Sequence, residues 1–176
     1  MASAIAVQGH SIGSLRLAGR PESPDTQLFL HVQMASPDGT CRICGDPYQD
    51  VDLAFGSRHT VVTCDKLVSD EFIRREPEKN TIPGIVVDAV VHTPYGGHPS
   101  QVYGLYDYDK EFYLNYDEAG HTDAEFKNWL REWVLDIPDH AAYLEKLGAN
   151  RLLNLKVVDG FGYHVDDAAI VKGGSI

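Results

Sequence analysis

Apolar positions along this chain come as short unbroken runs in its first half and at helical intervals in its second. QLFLHVQ at Gln27–Gln33, HTVVTC at His59–Cys64 and IPGIVVDAVVH at Ile82–His92 are rich in β-branched residues and bounded by turn formers. Runs of this length predict buried strands. Ser36-Pro37-Asp38-Gly39 reads as a turn, after which Thr40–Cys44 can pair or continue as a further strand. The intervening DKLVSDEFIRREPEKN is polar and predicts a partly helical segment that ends at Pro77. Buried strands separated by helical or irregular crossovers predict an α/β fold with a parallel or mixed sheet.

Beyond residue 120 the period changes. Thr122-x-x-Glu125 forms a capping box, and Phe126, Trp129, Leu130, Trp133, Val134 and Ile137 come after it at helical spacing with one broad apolar face. On such a face the two tryptophans read as core rather than as a cofactor box. Pro138-Asp139 ends that helix and opens another, DHAAYLEKL, with Gly148 placed as the residue beyond its end. The tail RLLNLKVVDGFGYHVDDAAIVKGG predicts further packing segments and a frayed end. Residues 1–26, small, polar and turn-rich around Pro21 and Pro24, read as a weakly structured lead-in, and 27–176 as a single domain with a C-terminal helical segment.

Composition narrows the function classes. At 176 residues with 43% hydrophobic content the chain can build a sizeable core, and its net charge of −11 repels both phosphate backbones and anionic lipid. Nucleic acid and membrane are therefore not the expected partners. No apolar run reaches the roughly 20 residues that span a bilayer, and MASAIAVQGHSIGS has neither a basic start nor a long apolar region, so the cytoplasm is the expected compartment. Three cysteines agree with a reducing compartment. Cys41 and Cys44 form a C-x-x-C pair, but no second pair or nearby histidines complete a zinc set, so no metal is expected. Gly45-Asp46-Pro47 also breaks the chain where a redox motif would open a helix.

Candidate chemistry gathers in HTPYGGHPSQVYGLYDYD, residues 92–109, at the carboxyl end of the most apolar predicted strand. Open α/β sheets bind ligands at that end of their strands. Gly96 and Gly97 permit positive φ and close backbone approach, so their N–H groups could face a carbonyl or carboxylate oxygen. Pro94 and Pro99 stiffen the turn, His98 could donate to substrate or partner, and Tyr95, Tyr103 and Tyr106 could wall a pocket for an acyl or pantetheine arm. The alternative is a well-packed turn with tyrosines covering a subunit interface. Arg74 and Arg75, in FIRREP, can hold a carboxylate or phosphate through paired hydrogen bonds, or else pair with Glu71, Glu76 or Glu78 at the surface. His31, inside an apolar run, reads first as a hydrogen-bonded strand residue, and Asp65 and Asp88 as turn or strand-edge residues.

The succession HTVVTCDKLVSDEFIRREP, NTIPGIVVDAVVHTPYGGHPSQVYGLYDYD and EFKNWLREWVLDIPDHAAYLEKLG resembles the C-terminal portion of the alpha subunit of class I CoA-transferases of the glutaconate type. LFLHVQMASPDGTCRICG upstream is similar to the family's strand, turn and strand. The resemblance runs from about Gln27 to Leu155, and its sharpest pieces are Ile82-Pro83-Gly84 before the apolar strand and Pro94–Pro99 after it.

That resemblance implies the CoA-transferase type of α/β fold, coenzyme A as a substrate rather than a permanently bound cofactor, and a beta subunit of related fold in a heterodimer or heterotetramer. A glutamate carboxylate of the beta subunit is implied to attack an acyl-CoA thioester, and the resulting glutamyl-CoA thioester to pass CoA to a second short carboxylate or dicarboxylate. None of the glutamates here sits in the Glu-small-Gly setting of that nucleophile. Family alpha subunits are longer, with an N-terminal half that includes glycine-rich loops, so this chain resembles a short form, a fragment or a remodelled subunit. Two other readings stay open: a CoA-ester hydrolase or decarboxylase of the same fold, and a non-catalytic domain that stabilises a partner.

Overall fold

The computed structural model describes the backbone of Ala4–Ala6 and residues 27–157 in full; the rest of the predicted lead-in and of the tail lies outside the described residues. Among the described residues five strands form one mixed sheet in the order β1-β5-β4-β2-β3. They are β1 (Ala4–Ala6), β2 (Gln27–Ala35), β3 (Cys41–Arg42), β4 (His59–Leu67) and β5 (Ala89–His92). The three central strands β5, β4 and β2 run parallel, and β1 and β3 flank them antiparallel. The predicted parallel or mixed α/β sheet is therefore what the chain forms.

Parallel pairing puts Val32 beside Cys64 and Val62 beside Val90, and these side chains, with Ala35, Cys41, Ala54, Ile82 and Val87, make a fully covered core. On β4 the buried Thr60, Val62 and Cys64 alternate with partly covered Val61, Thr63 and Asp65, so the strand buries one face fully and the other in part, which its apolar run did not reveal. The β2–β3 turn closes as predicted: Thr40 N–H and the Ser36 hydroxyl both donate to Asp38 Oδ1 (2.9 and 2.6 Å), and Gly39 takes φ +91°. Burial works to raise the Asp38 carboxyl, but hydrogen bonds from Ser36, Thr40 and Arg74 outweigh it and carry the group down to about 2.

The predicted strand over 82–92 is a correction. Only Ala89–His92 pairs as β5, and Gly84–Val86 is a 3-10 turn. Pro83 has no N–H for a ladder. Gly84 lies so close to the β2–β3 turn that a Cβ there would fall 2.2 Å from the Asp38 carbonyl oxygen. Ile82 instead makes an isolated bridge to Cys41. The partly helical segment before Pro77 condenses to α2 (Asp70–Arg74), capped by the Ser69 side chain; α1 (Asp50–Gly56), which the pattern did not announce, buries Ala54.

The chain divides into two compact units that part between Gly96 and Gly97. The second is helical: α3 (Lys110–Ala119), α4 (Asp123–Leu130), α5 (His140–Leu147) and α6 (Ala149–Leu155). Thr122 caps α4 as its capping box predicts, accepting from Glu125 N–H and donating its hydroxyl to Glu125 Oε2. Asp139 caps α5 in the same way through Ala142 N–H, and Gly148 ends it at φ +83°.

Trp129 and Trp133 pack edge-on against Phe112 and are half-buried in that aromatic cluster rather than enclosed as core. After Leu130 the helix continues as a π turn over Arg131–Leu135, closed by Asp136 N–H donating to Arg131 O. One extra residue per turn rotates the positions beyond it by about 100° relative to an α-helix. Val134, placed by spacing on the apolar face, lies within this turn and is exposed.

Candidate functional site

Each unit contains a network centred on one histidine. In the sheet unit His31 lies in mid-strand on β2, opposite Thr63 of β4. Its Nε2–H donates to Asp65 Oδ2 (2.7 Å) and its Nδ1 meets the Thr63 hydroxyl (2.8 Å). Asp65 faces the same way as Thr63 because side chains two apart on a strand share a face. Its other oxygen, Oδ1, accepts the Tyr95 N–H at 2.6 Å, and its carbonyl accepts from His92 Nε2 at 3.2 Å. Residues of the parallel strands β2 and β5 thus meet Asp65 of β4, His31 at its carboxylate and His92 at its backbone carbonyl, beneath the turn Thr93–Gly96.

Tyr95 holds φ +57°, a left-handed conformation that costs a non-glycine residue about 1–2 kcal/mol and that the Asp65 hydrogen bond stabilises. The positive φ expected at Gly96 and Gly97 therefore falls on their tyrosine neighbour. Gly96 is required for space: a Cβ would lie 2.7 Å from Thr93 O and 2.9 Å from His31 Cε1. Burial and the nearby Asp65 charge push the Tyr95 phenol above its ordinary value, so it stays protonated near neutral pH.

The helical unit holds the second network. His98 has a fully buried side chain, with Nε2–H donating to Asp109 Oδ2 at 2.9 Å. The Tyr143 hydroxyl lies 2.6 Å from His98 Nδ1. Arg151 reaches both Asp109 oxygens, Nη2 to Oδ1 at 2.8 Å and Nε to Oδ2. Asp109 also caps α3 through Phe112 N–H (3.0 Å).

Burial raises the Asp109 carboxyl, but hydrogen bonds from Arg151, His98 and Phe112 outweigh it and hold the group at about 2. Burial pulls His98 below its ordinary value despite the Asp109 hydrogen bond, and pushes Tyr143 up to about 12. These directions describe one state: Asp109 ionised against Arg151, His98 neutral with its proton on Nε2, and Tyr143 protonated and donating to Nδ1.

Most other residues singled out in the sequence serve the fold. Gly96 N–H donates to Thr93 O (2.9 Å) and Gly97 N–H to the Tyr106 hydroxyl (2.9 Å), so both amides hold the turn itself. His98, with both ring nitrogens engaged internally, is a buried strut in this structure. Tyr103 is 65% exposed. Arg75 makes the expected kind of surface ion pair, with Glu71 (2.6 Å), while Arg74 pairs with Asp38 (2.9 Å), a partner the sequence reading did not name. Asp88 is a strand-edge residue whose Oδ2 accepts Thr60 N–H at 2.7 Å.

Asp109, Tyr143 and Arg151 went unnoticed in the sequence. Asp109 had a usable signal, as an aspartate immediately before the apolar-periodic Phe112 and Tyr116, which marks a helix start. Arg151 had none. Cys41 donates its thiol to Gly39 O (3.1 Å), and burial pushes it up to about 12. Among the described residues no three His, Cys, Asp or Glu side chains come together as a metal site, and no helix is long and apolar enough to cross a membrane.

A parallel-centred mixed sheet with a polar cluster under the turn leaving its central strands defines an α/β protein of the kind that binds ligands at strand carboxyl ends. Comparison with known proteins is more specific. The chain is 58% identical over 138 residues to the A subunit of glutaconate CoA-transferase from Acidaminococcus fermentans, an alignment covering 78% of this chain and 43% of that one. The crystal structure of glutaconate coenzyme A-transferase from the same organism matches with a TM-score of 0.78 at 56% identity, covering 81% of this chain and 45% of that one. The A subunit of 3-oxoadipate CoA-transferase from Pseudomonas knackmussii is 24% identical over 136 residues, 77% of this chain and 48% of that one. No family model matches. The chain belongs to the class I CoA-transferase family of A-type subunits, and it spans less than half the length of these curated relatives.

Proposed function

We propose that this chain works as the A-type part of a CoA-transferase, moving CoA from an acyl-CoA thioester to a short carboxylate or dicarboxylate in a heterodimer or heterotetramer with a beta-type subunit. The observation that carries the reading is the 58% identity to the A subunit of glutaconate CoA-transferase, sustained over 138 residues. The attacking glutamate belongs to the beta-type subunit in this reading. The present chain supplies the turn Thr93–Gly96, with Tyr95 as its candidate contact to the CoA ester, and coenzyme A enters as substrate. Its three unbridged thiols suit the cytoplasm.

The test is to co-express the chain with a beta-type subunit, supply glutaconyl-CoA or acetyl-CoA with an isotopically labelled carboxylate, and follow products by mass spectrometry. Labelled acyl-CoA formed by the mixture and by neither chain alone is the expected result. Free CoA without labelled ester would replace this reading with a hydrolase, and CO2 release with CoA retained would replace it with a decarboxylase. A stable complex that makes none of these products would leave a partner-stabilising domain.

A further inference from the structure

His31 takes no part in the function just proposed, yet it lies under the turn that function uses. Both of its ring nitrogens are engaged, Nδ1 with Thr63 and Nε2 with Asp65, so it has no nitrogen free to exchange a proton with a ligand. Its ring occupies the space that a side chain at position 96 would need, with a Cβ there falling 2.9 Å from Cε1 and 3.0 Å from Nδ1. The same ring orients Asp65, whose second oxygen holds the Tyr95 amide. His31 and Asp65 are largely buried, with side chains 17% and 7% exposed.

A turn needed only to leave the strand could carry glycine at its left-handed position. Here that position carries a tyrosine, held by an oriented carboxylate. Strained backbone retained by several converging groups points to a site whose geometry matters.

We propose that His31 is a positioning residue for the CoA-ester site: acting through Asp65 and by contact beneath Gly96, it fixes the left-handed Tyr95 backbone and so sets where the Tyr95 phenol meets the thioester. This rests on the CoA-ester reading above. The orientation runs outward from β2 through a single carboxylate, which makes the turn sensitive to a residue more than sixty positions earlier in the chain.

The test compares wild type with His31→Ala, His31→Gln and Gly96→Ala in the complex with a beta-type subunit. It reads kcat and KM for acetyl-CoA, acetyl-CoA binding by calorimetry, and hydrogen exchange at the Tyr95 amide. His31→Ala and Gly96→Ala are expected to raise KM about tenfold with a much smaller change in kcat, and to speed exchange at Tyr95. His31→Gln, whose amide can still donate to Asp65, should recover part of both. If His31→Ala fails to fold, Gly96→Ala probes the same contact from the exposed side of the turn. Wild-type KM and Tyr95 exchange in a folded variant, even with a lowered melting temperature, would make His31 a packing residue and overturn the inference. If the wild-type complex transfers no CoA, the functional reading falls by itself; acetyl-CoA binding and Tyr95 exchange then decide this one, unchanged values overturning it and weaker binding with faster exchange supporting it.

Discussion

At the scale of single residues, Asp109 organises the helical unit. It is at once the cap of α3, the partner of His98 and the counterion of Arg151. Its folded value of about 2 lies below the ordinary carboxylate value near 3.9, so its contribution, on the order of 2 kcal/mol, is present above pH 4 and lost as pH falls toward 2. His98 works in an earlier window. Its folded value lies below the ordinary 6.5, so the folded state binds fewer protons there than the unfolded one, and stability declines as pH falls below about 6.5. Both groups therefore make acid destabilising. Urea titrations across pH should show a decline beginning near neutrality that His98→Gln removes and a steeper decline below pH 4 that it leaves. Asp109→Asn should cost about 3–5 kcal/mol at pH 7 by leaving the Arg151 charge without its carboxylate. Only the capping role of Asp109 had a local signal; its pairing was not legible, since His98 and Arg151 meet it across 11 and 42 residues with no local pattern to announce them.

At the scale of elements, legibility followed local determinism. The starts of α4 and α5 were readable because Thr122 and Asp139 act on amides three residues away. Alanine at either position should lower stability by about 1 kcal/mol, measured by thermal or urea unfolding. β2 and β4 were readable because their apolar, β-branched runs are bounded by turn formers, whereas the equally apolar run over 82–92 misled. Its apolar residues are largely buried or half-buried, but Pro83 and the approach of Gly84 to Asp38 O impose a turn that hydrophobicity does not encode. Gly84→Ala should accordingly destabilise more than either cap change, because its Cβ meets backbone rather than a movable side chain. Helix α3 was missed because tyrosines and polar residues dilute its apolar stripe, although Phe112 and Tyr116 both face the tryptophans.

For the whole molecule, a net charge of −11 argued against nucleic acid and anionic lipid as partners, while the succession of strand, turn and helix motifs pointed to the family. Those motifs could not convey how three strands place His31, Asp65 and His92 around one turn, because the pairing register is a property of the folded sheet. The sheet also seals two of the three thiols. Cys41 and Cys64 have no exposed surface, and burial carries them to about 12 and 11. A maleimide at neutral pH should therefore modify Cys44 promptly and the other two only when the sheet opens. The rate at which a singly labelled mass gives way to a triply labelled one would then time that opening, making the C-x-x-C pair a built-in stopwatch started by the half-buried Cys44.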